Sequence, residues 1–192
     1  MKILNEISKC LTLVLIALIP PLAHAAVSAW AIMSAESSLS FTATQNDAPV
    51  TGQFKTYTGD ISFDLVDLKN SKAEIVVDIS SINTSYADLK ATLVTPDWFN
   101  ANVFPKASFK STAFTKTGDK TYEATGNLTI RDKTMPVTLT FTAVESSKDI
   151  MTVEGSTILK RSAFGIGQGE WSSTKEIKDD VSVHFKLVAK KK

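Results

Sequence analysis

One stretch decides the fold of this chain: YEATGNLTIRDKTMPVTLTFTA, residues 122–143. On both sides of Arg131-Asp132-Lys133, apolar or small residues occupy every second position, and mostly threonines lie between them. Successive side chains of a strand point to opposite faces, so this period of two predicts strands with one apolar face and one wet face. The polar residues at 131–133 indicate a turn. The stretch therefore predicts an antiparallel hairpin rather than a βαβ unit.

The same alternation recurs along most of the chain. It is clear at 39–43, 61–65 and 181–187, and further strands are predicted at 72–80, 107–114 and 151–160. Turn-forming clusters separate these segments, Asn46-Asp47-Ala48-Pro49 among them. About eight long amphipathic strands can close into a barrel, which removes the exposed edges that invite aggregation. We predict an all-β antiparallel barrel, with a two-sheet sandwich as the competing architecture.

One segment, residues 86–103, breaks the pattern. Its first part, 87–93, suits a short helix, and Thr95-Pro96-Asp97 has the composition of the cap and first turn of another. Two large aromatics, Trp98 and Phe99, follow at once. We interpret the segment as a short helical lid over the barrel; the alternative is that it only covers a sheet edge.

The first 25 residues have the composition of a secretory signal peptide. Lys2 and Lys9 give a basic start, 11–19 is an apolar run, and Ala23-His24-Ala25 offers small residues for cleavage after Ala25. The run is shorter than the roughly 20 residues that a transmembrane helix needs. We predict a signal peptide at 1–25 and one β-barrel domain at 26–192, with an uncleaved membrane anchor as the alternative.

Cleavage would leave a formally neutral chain with little catalytic chemistry. The sequence has 21 Lys and Arg against 20 Asp and Glu, and removing Lys2, Lys9 and Glu6 leaves 19 of each. No basic patch dominates, so we predict no nucleic-acid partner. The only cysteine, Cys10, and one of the two histidines leave with the signal. The remaining His184 falls on the wet face of the last strand, and we predict no catalytic residue, no metal site and no cofactor.

The aromatic content bears on what the barrel interior holds. Ten phenylalanines and three tryptophans are many for a neutral domain of this size, and the alternation turns several of them inward. A barrel of about eight strands is either filled by its own side chains or holds one small ligand. Periodicity alone does not distinguish a filled interior from one that holds a ligand.

Several short motifs, in order and spacing, closely resemble the YceI family of periplasmic lipocalin-like proteins from bacteria. The most specific are DWF at 97–99, FPKASF at 104–109 and RSAFGIG at 161–167. The resemblance extends from about residue 29 to residue 188. The sequences at 48–52 and at 169–171 are similar to those of members associated with, or fused to, cytochrome b561-type membrane proteins.

The resemblance implies an extended antiparallel lipocalin-like β-barrel with a long apolar tunnel, in the periplasm. It implies a polyisoprenoid chain, an isoprenoid quinone or a fatty-acid-like amphiphile as ligand, a homodimer, and a membrane cytochrome as partner. The candidate ligand-binding residues are the inward or lid aromatics Phe41, Phe54, Phe63, Trp98, Phe99, Phe109, Phe141, Phe164 and Trp171, with Arg161 as anchor for a head group. For each aromatic the alternative is core packing, and for Arg161 it is hydrogen bonding to strand-end carbonyls.

Two functions of different classes follow. One is a periplasmic carrier that holds an isoprenoid chain, a polyprenyl compound or a quinone, in the barrel. The other is a structural or stress-related interaction protein with a packed barrel, beside a membrane cytochrome b561. An enzyme acting on a bound lipid is the least supported hypothesis, because the sequence supplies almost no nucleophile, acid or metal ligand for the barrel interior.

Overall fold

The computed structural model describes residues 27–192, and the predicted signal peptide lies outside them. The strands in this range are β1 (Ala29–Ile32), β2 (Ser38–Gln45), β3 (Ala48–Phe54), β4 (Tyr57–Ser62), β5 (Lys72–Asp78), β6 (Ile82–Thr84), β7 (Lys106–Lys116), β8 (Thr121–Ile130), β9 (Lys133–Ser147), β10 (Ile150–Lys160) and β11 (Asp180–Lys191). One α-helix, α1 (Ala87–Leu93), lies between β6 and β7. No helix in the described range is long and apolar enough to cross a membrane.

The strands form eight rows that close into a barrel. Three rows consist of two strands end to end, β1 with β2, β3 with β4 and β5 with β6, and each of the other five is a single strand. Both β1 and β2 pair with β11, at Trp30↔Lys191 and Ser40↔His184, so the first row closes against the last. All pairings among the described strands are antiparallel. The predicted all-β antiparallel barrel is confirmed, and the sandwich is wrong.

The turn between β2 and β3 is shorter than predicted. Asn46 and Asp47 form it alone, with φ of 48° and 60°. Two successive left-handed residues match the twist of a two-residue hairpin, and Asn and Asp tolerate that conformation well. Ala48 and Pro49, predicted as turn residues, therefore already belong to β3.

The predicted strand at 61–65 also ends early. β4 stops at Ser62, and the chain then turns at Asp64, whose carboxylate accepts the amide of Val66 at 2.9 Å. Phe63 still points inward and is 4 % exposed. The alternation thus identified the correct face of Phe63 but not the end of the strand.

The insert between β6 and β7 contains one helix, not two. The prediction for 87–93 is confirmed by α1. The helix predicted from Thr95 is wrong, because the Thr95 hydroxyl donates to the carbonyl of Thr92 at 2.7 Å and caps nothing beyond it. The amide of Phe99 bonds back to the carbonyl of Leu93 at 3.0 Å, so the chain reverses in a series of turns.

Candidate ligand-binding cavity

The barrel interior is hollow. A cavity of about 510 Å³ lies inside it, and on β11 the inward positions from Val181 to Ala189 all line it. These positions span eight residue steps, or about 26 Å along the strand. At a strand tilt of about 40°, this corresponds to roughly 20 Å along the barrel axis. The packed interior of the structural-protein alternative is therefore wrong.

Inward rings lie against the barrel wall because glycines leave them room. A Cβ at Gly126 would stand 2.5 Å from Phe109 Cζ and 2.5 Å from the carbonyl oxygen of Lys110. The ring of Phe41 covers Gly52 in the same way. Glycine in a strand often marks such a close approach. The rings of Phe41 and Phe109 thus lie close against the wall of the barrel.

One end of the barrel, which we call the closed end, is plugged by aromatic rings. The ring centroid of Phe63 lies 5.1 Å from that of Phe114 and 6.1 Å from that of Phe141, and Phe141 stacks on Tyr122 at 5.8 Å. The indole N–H of Trp30 donates to the carbonyl of Phe63 at 2.8 Å and holds the chain after β4 in place. Aromatic pairs contribute about 0.5–1.5 kcal/mol each beyond the area they bury.

The opposite end is covered by two segments that we call the lid: residues 85–105 and residues 161–179. The carbonyl of Asp97 in the first segment accepts the amides of Gly167 and Gln168 in the second, both at 2.8 Å. Gly167 has a φ of 75°, which favours glycine. These bonds join the two segments into one cover.

Arg131, at the turn between β8 and β9, provides a second link between the two lid segments. Its Nη1 donates to the carbonyl of Trp98 at 2.8 Å and to that of Gly165 at 2.5 Å. The guanidinium also lies 5.8 Å above the ring of Phe104. Trp98 in turn packs on Trp171 of the other segment, with ring centroids 5.9 Å apart.

Arg161 is the hydrogen-bonding centre of the second lid segment and is 4 % exposed. Its guanidinium donates to the carbonyls of Lys178, Ile166, Gly167, Ser173 and Ile177, at 2.9 to 3.2 Å. A guanidinium has five N–H donors, and these five bonds engage all of them. Burial lowers the pKa of Arg161, and the nearby Asp179 carboxylate partly offsets this effect.

The carboxylate of Asp179 supports the same arrangement. Burial raises the pKa of Asp179, but hydrogen bonds from Ser162 and the nearby Lys160 and Arg161 cations outweigh it, so the pKa is lowered. The backbone amide of Ser162 donates to the Asp179 carboxylate at 3.0 Å. The buried Arg161 cation thus has a counter-charge within the lid.

Because Asp88 of α1 lines the cavity and is exposed, we infer that the cavity reaches solvent beside α1, at an opening that we call the mouth. Asp88 is the one lining residue that is exposed, and Leu89 and Thr92 of the same helix line the cavity with it. Gln45, at the end of β2, is a further polar group in the lining. Among residues 27–192, Arg161 and Asp88 are the lining residues with a charged side chain.

All ten residues predicted from the sequence line the cavity. Phe63, Phe109 and Phe141 belong to the cluster at the closed end, and Trp98 and Phe164 are buried in the cluster under the lid. Whether these side chains touch a ligand stays a prediction. Arg161 borders the cavity, but its hydrogen bonds go to the lid backbone.

Sequence reasoning missed the aliphatic and polar parts of the lining. The alternation at 181–187 indicates the inward side of β11, whose aliphatic residues line the cavity together with the aromatics. No local signal identifies Asp88 or Gln45, because the mouth depends on how the insert folds back over the barrel. His184 is exposed on the outer face, as predicted, and no group of three His, Cys, Asp or Glu in residues 27–192 is placed to hold a metal ion.

Residues 30–189 match the YceI-like domain, and the chain belongs to the YceI family. The crystal structure of BcnA from Burkholderia cenocepacia is similar: it is 32% identical, with a TM-score of 0.79 over 82% of this chain and 98% of BcnA. A polyisoprenoid binding domain from Saccharophagus degradans shares the fold at 16% identity, with a TM-score of 0.70 over 86% of this chain and 99% of that domain.

Curated sequences give similar matches. A UPF0312 protein of Pseudomonas putida is 33% identical over 69% of this chain and 71% of its own length. A UPF0312 protein of Vibrio parahaemolyticus is 32% identical over 52% of this chain and 53% of its own, so that alignment spans about half of the relative.

Proposed function

We propose that this protein binds an isoprenoid lipid whose chain lies in the barrel cavity. The observation that carries the proposal is the long apolar cavity of about 510 Å³, with aromatic rings packed at one end and the exposed Asp88 of α1 in its lining. Dividing this volume by the roughly 20 Å height estimated from strand rise and tilt gives a mean cross-section of about 25 Å². Such a bore has room for a hydrocarbon chain.

Burial of apolar surface is sufficient to hold such a chain. Each methylene removed from water contributes about 0.8 kcal/mol, so about ten buried groups contribute roughly 8 kcal/mol. The opposing terms are the lost freedom of the ligand and the ordering of the groups around it. The domain from Saccharophagus degradans, which has the same fold, is a polyisoprenoid binding domain.

The physiological role that we propose is that of a carrier in the periplasm rather than of an enzyme. Export would follow from the signal-like residues 1–25, and the cargo would be a polyprenyl compound or an isoprenoid quinone. A homodimer and a membrane cytochrome b561 partner are proposals that rest on the family resemblance. Light scattering of the purified protein and co-purification from solubilised membranes test them.

The test of lipid binding is native mass spectrometry of the exported protein, followed by lipid extraction. We expect a bound isoprenoid lipid, and we expect Val183→Phe to reduce its occupancy, because Val183 lines the cavity on β11. The matched control is His184→Phe, which adds a ring one residue away on the outer face. A protein that stays empty when offered polyprenols and quinones contradicts the proposal, as does equal occupancy in the two variants.

A further inference from the structure

We propose that the cavity selects isoprenoid lipids with an uncharged head group and discriminates against polyprenyl phosphates. The inference rests on the proposed function and names the class of ligand more closely. It follows from the charges in the cavity lining and from the way in which each charged group is already engaged.

The first observation is the carboxylate at the mouth. Asp88 lies on α1, is exposed, and is the acidic residue of the cavity lining. A chain that enters tail first leaves its head group near this carboxylate. A phosphate there would meet a like charge, whereas a hydroxyl or a carbonyl would not.

The second observation is that the one cation in the lining is already saturated. All five N–H donors of Arg161 bind lid carbonyls, at 2.9 to 3.2 Å, and the Asp179 carboxylate lies nearby. Binding a phosphate through Arg161 would require breaking bonds that hold the lid. A phosphate drawn below the mouth would be a buried anion without a hydrogen-bonded cationic partner, which is strongly disfavoured.

The other cations of the lid region do not reach the lining. Lys90 of α1 is exposed and is not among the residues that line the cavity. Lys178 pairs with Asp47 at 3.3 Å on the surface. Arg131 is likewise outside the lining, with its Nη1 bound to lid carbonyls and its guanidinium above Phe104.

The third observation is a neutral donor under the lid. Trp98 lines the cavity, is 8 % exposed, and its indole Nε1 has no hydrogen-bond acceptor within residues 27–192. A buried donor without a partner carries a desolvation cost, which a ligand oxygen would relieve. A hydroxyl or quinone carbonyl oxygen suits this group and needs no cation beside it.

The experiment compares a polyprenol with the polyprenyl monophosphate of the same chain length, in the same detergent at pH 7.5. Binding is followed by tryptophan fluorescence and checked by native mass spectrometry. A charge repulsion across about 6 Å of partly hydrated space corresponds to roughly tenfold in affinity, so we expect the phosphate to bind about tenfold more weakly. Asp88→Asn should narrow this gap and Asp88→Lys should close or reverse it.

The matched control is Asp119→Asn, an exposed carboxylate in the turn between β7 and β8 at the closed end. It should leave the ratio of the two affinities unchanged. Equal affinity of the wild-type protein for alcohol and phosphate would overturn the inference, and so would an affinity ratio that responds equally to Asp88→Asn and Asp119→Asn. Failure of both lipids to bind would refute the proposed function itself, which is a distinguishable result.

Discussion

Arg161→Met removes the guanidinium at the hydrogen-bonding centre of the lid and keeps an apolar stem of similar length. Five carbonyls lose a charged donor that binds them at 2.9 to 3.2 Å. Hydrogen bonds from a charged group contribute about 1.5–3 kcal/mol each, but water can reach part of a surface loop. Breaking a buried charged network by removing one partner usually costs about 3–5 kcal/mol, and we expect about 4 kcal/mol here.

Urea unfolding followed by far-UV circular dichroism measures this loss. With a slope near 2 kcal/mol/M, about 4 kcal/mol lowers the midpoint by roughly 2 M. The control is Lys160→Met, next in the chain, whose side chain is 60% exposed and pairs with Asp180. An exposed ion pair contributes about 0–1 kcal/mol, so its midpoint should hardly move.

A second variant perturbs the same guanidinium without removing it. A Cβ at Gly167 would overlap Arg161 Nη1, and its φ of 75° strains any other residue. We expect Gly167→Ala to cost about 1–3 kcal/mol. The reasoning is refuted if Arg161→Met unfolds within about 1 kcal/mol of wild type yet loses its bound lipid, because the guanidinium would then serve the head group rather than the lid.

Three further changes probe the rest of the barrel. Phe141→Ala opens the plug at the closed end and should lower the free energy of unfolding by about 3–5 kcal/mol, measured by urea unfolding. The control Val144→Ala, on the outer face of β9, should lower it by less than about 1 kcal/mol. Similar losses of stability in both variants would contradict the plug. Gly126→Ala places a Cβ 2.5 Å from the carbonyl oxygen of Lys110, so a thermal melt should show a lower Tm, and an unchanged Tm would mean that the strands can separate freely there. Asp179→Asn should lower Tm at pH 7. The pKa of Asp179 is lowered in the folded protein, so its carboxylate stabilises the fold above about pH 4, near the unfolded pKa. This contribution is lost as the pH falls through the folded pKa. The Tm gap between wild type and Asp179→Asn should therefore shrink towards pH 3, and a gap that persists there would speak against a charge effect.

The alternation of side chains was enough to predict antiparallel strands with one buried face, because a strand with a period of two has only one way to bury its apolar face, but it left the barrel and the sandwich open. It placed Phe63 and Phe141 on the inner side even where, as after Ser62, the strand ended earlier than expected. Strand ends depended on local hydrogen bonds that the pattern does not contain. The two left-handed residues Asn46 and Asp47 are an example, since a turn two residues shorter than predicted moved Ala48 and Pro49 into β3.

The cavity and its mouth could not be predicted from the sequence, for a different reason. A filled and a hollow barrel have the same alternation, and the difference lies in how rings such as Phe41 and Phe109 lie against glycines on neighbouring strands. The role of Arg161 likewise depends on carbonyls that the loop brings together from 166 to 178. The motif around it indicated that the residue matters but not which partner its donors take.

If the proposed lipid binds, the aromatic plug at the closed end leaves the mouth beside α1 as its route in and out. Such a lipid would enter with its tail leading and leave with its polar terminus leading, so the barrel would impose its orientation. Whatever length exceeds the depth of the bore stays outside, next to α1. The protein would therefore measure its cargo as well as hold it, and delivery to any acceptor would require that the face carrying Asp88 be turned towards that acceptor.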